Sequence, residues 1–288
     1  MIKIKFFSNY EQSKNLLHRF KHNYQIENDP FEYTLGEDYD YAVVYNRTDD
    51  VVRVDALTIT VIQEPSWNEA HDVKTYLKNS DYILIHDPEL FERTHQLKLG
   101  GHVIESPAYL FYHDHVDHSF FDGAETFKKS RKLSMIVSSL YRSRANYRKR
   151  IGVLEQILAS DLDIDIFGRG LDIPDPRNKG ELRYKHNGLL PYEYSIAIEN
   201  SNEKNYVTEK FVDCALCSTI PIYNGAPNVA DIYDARYFKT IVLESPTIVD
   251  DIKNIIAEPA SLSTVNKNLY HQRYNLHTKL VEIVFGKA

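Results

Sequence analysis

The chain has 288 residues, of which 43% are hydrophobic, so it is long and apolar enough for one large or two ordinary folded domains. Its formal net charge of -7 at pH 7 argues against nucleic acid as a partner of the whole surface, although a basic stretch lies at residues 128–150. No run approaches the roughly 20 apolar residues of a membrane span. The N-terminus is too polar for a signal peptide, so we expect a cytoplasmic protein without a transmembrane segment.

The two cysteines, Cys214 and Cys217, have a C-x-x-C spacing, but no second pair exists to complete a zinc site. They fall near the C-terminal end of a predicted helix, whereas a redox dithiol normally lies at an N-terminal end. We therefore expect buried structural thiols. The His- and Asp-rich tract at 113–118 fits no standard catalytic metal motif, so we expect no metal site there.

Predicted strands and helices alternate in the first part of the chain. The strand signals are residues 2–7, 41–45, 57–62, 82–85 and 102–104, and the helix signals are residues 10–22, 68–78 and 88–95. This rhythm predicts a Rossmann-like parallel sheet. Residues 109–129 show no periodicity and predict a linker.

A second β/α series follows this linker. Its predicted strands are residues 133–137, 164–167, 194–198, 220–223 and 240–243, and its predicted helices are residues 146–158, 208–216, 228–233, 250–256 and 261–284, with a polar loop at 171–187. The two series predict an α/β protein with Rossmann-like domains at residues 1–125 and 126–288.

The most informative segment is residues 194–224, which predicts a strand, a polar loop, a helix and a parallel strand. In such units ligands bind at the carboxyl ends of the strands, where helix N-termini offer N–H groups to anions. Five polar residues fall at this edge: Glu199, Asn200, Tyr206, Glu209 and Lys210. A lysine there can contact phosphate and a carboxylate can accept from ribose hydroxyls, so the segment outlines a nucleotide site.

The pattern E-N-S-x-x-x-x-Y-V-T-E-K at 199–210, followed by P-I-Y-x-G-x-P at 221–227, resembles the donor-binding signature of glycosyltransferase family 10, the α-1,3/1,4-fucosyltransferases. The segment D-I-F-G-R-G at 165–170 resembles a further element of that family. The resemblance implies a GT-B fold, with two Rossmann-like domains facing across a cleft. The acceptor would bind to residues 1–125, and the donor would bind to residues 126–288, which include the C-terminal helices.

The same resemblance implies inverting transfer of L-fucose from GDP-fucose to a hydroxyl of a glycan, with no cofactor required. By resemblance, Lys210 and an arginine close to Arg150 bind the diphosphate, Asn200 and Tyr206 add hydrogen bonds, and Glu209 holds the ribose. One departure is Asn205, where many members of the family have aspartate.

Two assignments have rivals. The candidates for the phosphate-binding arginine are Arg142, Arg144, Arg148 and Arg150. Arginine is the preferred partner of phosphate, and of these four we favour Arg150. For the general base that deprotonates the acceptor hydroxyl, we favour Glu64, which follows the predicted strand at 57–62, over Glu105, which also follows a strand.

Two other functions stay open. One is the same fold with a different nucleotide sugar or acceptor, for instance the phage-type glycosylation of a modified nucleobase in DNA, which the divergent first half and the basic stretch at 128–150 suggest. The other is a non-catalytic nucleotide-sugar-binding or lectin-like module. The presence of both Glu64 and Lys210 argues against this second alternative.

Overall fold

The structure is a computed structural model that describes residues 1–24, 26, 28–68, 77–109, 117–122, 127–138 and 145–286. Two compact units divide the chain. The first unit comprises Met1–His118, Glu203–Thr208 and His271–Ala288, and the second comprises Ser119–Asn202 and Glu209–Tyr270. These units differ from the predicted division at 125/126, because a short part of the 194–224 segment and the end of the chain belong to the first unit.

Each unit is built on a parallel sheet. In chain order, the strands are β1 (Ile2–Ser8), β2 (Phe31–Tyr33), β3 (Tyr41–Tyr45), β4 (Leu57–Val61), β5 (Tyr82–Ile85), β6 (His102–Glu105), β7 (Arg131–Ile136), β8 (Asp165–Phe167), β9 (Tyr192–Ile198), β10 (Ile220–Asn224) and β11 (Lys239–Thr240). The first sheet has the order β2-β1-β3-β4-β5-β6 and the second has the order β11-β10-β9-β7-β8. All pairings within them are parallel. The prediction of two Rossmann-like α/β units is confirmed.

Helices connect these strands. They are α1 (Ser13–Asn23), α2 (Pro88–His95), α3 (Ser119–Asp122), α4 (Ala145–Leu158), α5 (Glu209–Leu216), α6 (Val229–Ile232), α7 (Ile248–Ala257), α8 (Val265–Arg273) and α9 (Leu276–Phe285). Local chemistry explains several of their ends. The helix α2 begins with Pro88, and the side chain of Asp87 accepts a hydrogen bond from the backbone N–H of Leu90.

Apolar strand residues make the two cores. In the first sheet Val43, Val44 and Ile59 have no exposed surface, and in the second Ile166 and Ile222 are equally buried. Strands that are buried on both faces are typical of parallel sheets, and they explain why the predicted runs are almost continuously apolar. Among the described helices, none is both long and apolar enough to span a membrane.

Several predicted elements differ from the structure. The single helix predicted at 261–284 is wrong, because α8 ends at Arg273 and Asn275 caps a new helix by accepting a hydrogen bond from Thr278 N at 2.7 Å. The strand predicted at 240–243 is limited to Lys239–Thr240. The sequence does not predict β2, and α3 lies within the predicted linker. The helix predicted at 68–78 falls mostly on residues outside the described ones.

The order of the second sheet locates a binding edge. The strands β7 and β9 are neighbours, while β8 lies outside β7, so the direction of the chain across the sheet reverses between β7 and β9. In open α/β sheets, ligands bind beyond the carboxyl ends of the strands at such a reversal.

Candidate functional site

A cavity of about 440 Å³ lies in the second unit, at the carboxyl ends of β7 and β8. Ser138, just after β7, and Gly168, just after β8, form part of its lining. The helix α4 contributes Arg150, and the first turn of α5 contributes Glu209 and Lys210. The cavity therefore brings together three residues that the sequence predicts for donor binding.

Arg150 is a buried cation in this lining, and only 6% of its surface is exposed. Its Nη2 donates to Oδ1 of Asn200 at 3.2 Å, and its guanidinium lies 4.5 Å from the centre of the Tyr147 ring. Its Nε is buried and finds no hydrogen-bond acceptor among the described residues. Burial lowers the pKa of Arg150 from its ordinary value. A buried guanidinium charge is stabilised by an anionic partner, and an anion in the cavity would supply one to the outer nitrogens of Arg150.

The structure distinguishes two of the four arginines that are candidates for binding phosphate. Arg148, on the same helix, is exposed, whereas Arg150 lines the cavity. Arg142 and Arg144 lie outside the described residues, as does most of the tract at 113–118.

Two carboxylates hold Lys210 in place. Its Nζ lies 3.0 Å from Oε1 of Glu209 and 3.5 Å from Oε2 of Glu199. Burial lowers the pKa of Lys210, but the Glu209 and Glu199 carboxylates raise it more, so the net pKa is above its ordinary value. Glu199 itself is fully buried, and the Tyr223 hydroxyl contacts its Oε1 at 3.5 Å. Lys210 therefore stays charged and fixed in the cavity wall.

A further ion pair, which the sequence does not reveal, supports Glu209. Lys185 places its Nζ 2.5 Å from Oδ2 of the buried Asp213 and 3.8 Å from Oε1 of Glu209. Burial lowers the pKa of Lys185, but these two carboxylates raise it above its ordinary value. Lys185 lies within the polar loop predicted at 171–187, where the sequence suggests a solvated lysine. Asp213 could have been identified from the sequence, because it lies one helical turn after Glu209 on the same face of α5.

Two glycines bring the backbone close to the site. A Cβ at Gly168 would lie 1.6 Å from the carbonyl oxygen of Val137. A Cβ at Gly225 would lie 2.2 Å from the Tyr223 hydroxyl and 2.4 Å from Cγ of Glu199. A side chain at either position would displace the residues that shape the cavity.

Tyr206 is not in this cavity. It belongs to the first unit, where it is 1% exposed and its ring centre lies 5.0 Å from that of His86. The motif at 199–210 is thus divided, with Asn200, Glu209 and Lys210 in the second unit. The hydrogen bond from Tyr206 to a diphosphate stays a prediction.

The two rival carboxylates for the general base both lie in the first unit. Glu64 is partly buried, and Oε2 of its side chain accepts a hydrogen bond from Nδ2 of Asn68 at 2.8 Å. Glu105 is bound by the Lys204 ammonium and accepts from Asn205 Nδ2 at 2.8 Å. The hydrogen bond from Lys204 is the main cause that lowers the pKa of Glu105. A lowered pKa makes Glu105 a weaker base, and the assignment of Glu64 stays a prediction.

The cysteines confirm their predicted structural role. Cys214 and Cys217 are unpaired and buried. Burial raises the pKa of the Cys214 thiol to about 12 and that of Cys217 well above its ordinary value. Neither thiol is therefore suited to redox chemistry at neutral pH.

Comparison with known proteins identifies a family for the second half of the chain. Residues 126–268 match the family model described as glycosyltransferase family 10 (fucosyltransferase), C-terminal part. A fucosyltransferase-like protein of Arabidopsis thaliana is 31% identical over 116 residues, which are 39% of this chain and 21% of that protein. An α-(1,3)-fucosyltransferase of Helicobacter pylori is 35% identical over 60 residues, which are 21% of this chain and 13% of that protein. The matches therefore span about a fifth or less of the length of these relatives.

A solved structure extends the likeness to nearly the whole chain. The crystal structure of an α1,3-fucosyltransferase with GDP-fucose has a TM-score of 0.52 at 15% sequence identity, and the match covers 97% of this chain and 81% of that one. Identity at this level shows the fold alone, which is the GT-B fold of glycosyltransferases.

Proposed function

We propose that this chain, which belongs to glycosyltransferase family 10 through residues 126–268, transfers L-fucose from GDP-fucose to a hydroxyl group of a glycan. The observation that carries the proposal is Arg150. It is a buried guanidinium, without an ion pair among the described residues, in a cavity that also contains Lys210 and Glu209. Of the cations and carboxylates in the cavity lining, Arg150 and Lys210 next to Glu209 match a diphosphate that is joined to a ribose.

In this proposal, the donor lies at the carboxyl edge of the second sheet. Arg150 and Lys210 bind the diphosphate, and Asn200 orients the guanidinium through its bond to Nη2. Glu209 accepts hydrogen bonds from the ribose hydroxyls. The pair of Lys185 and Asp213 sets the position of Glu209. The contact of Tyr206 with the donor remains part of the proposal on the strength of the motif alone.

The proposed chemistry is a direct displacement with inversion. Glu64 removes the proton from the acceptor hydroxyl as its oxygen attacks the anomeric carbon of fucose, and the bond from that carbon to the GDP oxygen breaks. Negative charge then accumulates on the departing diphosphate, where the charges of Arg150 and Lys210 stabilise it. Glu64 accepts a hydrogen bond from Asn68, which would hold its carboxylate in position for this role.

We also propose that no metal ion is required, since Arg150 and Lys210 supply the positive charge that a divalent ion would otherwise provide at a diphosphate. Protein dialysed against EDTA should then transfer fucose at the rate of the untreated protein. A loss of activity that Mg²⁺ or Mn²⁺ restores would show that these two cations are insufficient.

The function is tested by ligand-dependent melting followed by turnover. GDP and GDP-fucose at ~100 times their dissociation constants should each add about 2.7 kcal/mol to stability, whereas UDP-sugars should add nothing. Stabilisation by a UDP-sugar alone would point to another donor. Product formation from labelled GDP-fucose with an array of glycan acceptors then distinguishes an enzyme from a binding module, because a binding module gives stabilisation without product.

A further inference from the structure

The part of the motif that belongs to the first unit, Glu203–Thr208, carries a buried carboxylate to which the proposed binding of GDP-fucose gives no role. Glu203 lies between Asn200 and Glu209 in the sequence, but it belongs to the first unit and is only 4% exposed. Burial of an ionised carboxylate is costly unless hydrogen-bond donors surround it. Its partners therefore indicate what the carboxylate does.

Those partners belong to the loop that follows β4 and to the end of β5. The backbone N–H of Ser66 donates to both carboxylate oxygens of Glu203, at 3.1 and 3.0 Å, and the Ser66 hydroxyl donates to Oε2 at 2.6 Å. Nε2 of the fully buried His86 lies 2.8 Å from the same oxygen.

This loop also carries Glu64, and a second anchor holds its other side. Oδ1 of Asn46 accepts from the backbone N–H of Gln63 at 2.8 Å and of Glu64 at 3.3 Å. Glu64 thus stands between Asn46 on one side and the bond from Ser66 to Glu203 on the other. The carbonyl oxygen of Ser66 also lies 2.6 Å from Nε2 of His95, so loss of Glu203 would loosen the backbone after Glu64 without releasing it.

Other functions of this cluster are excluded by its geometry. Ser66 is 1% exposed and its hydroxyl donates to a carboxylate instead of to a histidine, so it is not arranged as a nucleophile. The segment itself does not depend on Glu203 alone, because Nδ2 of Asn205 donates to the carbonyl oxygen of His86 at 2.9 Å. Loss of Glu203 would therefore act first on the loop that carries Glu64.

We propose that Glu203 is a positioning residue that fixes the catalytic loop around Glu64 from within the donor-binding motif. The inference rests on the proposed function, since it takes Glu64 as the general base. Its consequence is that the sequence between the donor residues Asn200 and Glu209 also sets the geometry of the acceptor-side base.

The test uses Glu203→Ala and Glu203→Gln in the full chain, with Lys204→Ala as the control. Lys204 neighbours Glu203 in the sequence, but its side chain is 50% exposed. A misplacement of about 1 Å at a reacting group costs about 100-fold in rate, so kcat of Glu203→Ala should fall about 100-fold while the Kd for GDP-fucose stays unchanged. Glu203→Gln keeps one acceptor oxygen and should regain part of kcat, and Lys204→Ala should match wild type.

Two further measurements make the test decisive. Ser66→Ala removes one donor and leaves the carboxylate in place, so it should fold and lose about fivefold in kcat, the usual effect of one hydrogen bond. Amide hydrogen exchange over residues 63–68 should accelerate in Glu203→Ala but not in Lys204→Ala.

Unchanged kcat in a folded Glu203→Ala protein, or unchanged exchange in residues 63–68, would overturn the proposal. A parallel loss of donor affinity and kcat would do the same. If wild type transfers no fucose, the proposed function fails, while the exchange measurement still decides whether Glu203 fixes this loop.

Discussion

Replacing Arg150 with alanine should weaken the binding of GDP about 100-fold. The guanidinium lines the cavity and donates through Nη2 to Asn200, so we assign its remaining Nη N–H groups as the donors to the diphosphate. A hydrogen bond to a charged group contributes about 1.5–3 kcal/mol. Two such bonds at the low end give about 3 kcal/mol, which is about two orders of magnitude in Kd.

The variant should remain folded without ligand. Arg150 buries a charge that has no ion-pair partner among the described residues, and its removal relieves that desolvation. We therefore expect the unliganded Arg150→Ala protein to melt at a temperature at least as high as wild type. Function would then have been maintained at a cost in stability, as is common for binding sites.

Isothermal titration calorimetry with GDP provides the assay, and α4 supplies a matched control. Arg148 is exposed on the same helix, so Arg148→Ala should leave Kd within about twofold, as expected for a surface charge worth a few tenths of a kcal/mol. Arg150→Lys keeps the charge but loses the planar fork of donors, and it should bind with intermediate affinity. A Kd for folded Arg150→Ala within about threefold of wild type would refute the assignment, because even one charge-assisted bond contributes more.

Three other predictions concern the framework and the base. Gly168→Ala should lose about 1–3 kcal/mol of stability in urea unfolding because its Cβ would meet a backbone carbonyl. Gly152→Ala, in open space on α4, should instead gain about 0.5–1 kcal/mol. Equal changes in the free energy of unfolding of the two variants would contradict this prediction. Glu64→Gln should abolish transfer with an unchanged Kd for GDP-fucose, and retained turnover would exclude it as the base. Cys214 and Cys217 should react with a thiol reagent at pH 8 only after unfolding, and rapid labelling of native protein would contradict their burial.

Strands that are apolar throughout could be predicted from the sequence with good bounds. The runs YAVVY and YILI coincide with β3 and β5, since continuous apolar runs are what a covered parallel sheet requires. In contrast, β2 has three residues at the edge of its sheet, and its one buried side chain, Phe31, leaves too short a pattern to detect. The break between α8 and α9 depends on one cap at Asn275, which a periodic pattern does not show.

Site residues could be predicted where they belong to one contiguous motif, but not where they depend on contacts between residues that are far apart in the sequence. Lys210 and Glu209 lie at a helix start after a strand and loop, which the order of elements alone places at the sheet edge. Glu203 gives no such signal. A glutamate in a polar loop looks solvated, and its partner Ser66 is 137 positions away in the chain. Burial of that kind arises from tertiary packing and is visible only in the folded structure.

The most direct test of the central claim is a crystal structure of the chain with GDP-fucose bound. The account predicts that the diphosphate lies in the cavity of the second unit, with its oxygens about 3 Å from the Arg150 guanidinium and the Lys210 ammonium, a normal hydrogen-bond distance. It also predicts that the ribose hydroxyls contact Glu209. A nucleotide bound elsewhere, or a diphosphate that contacts neither Arg150 nor Lys210, would contradict the account.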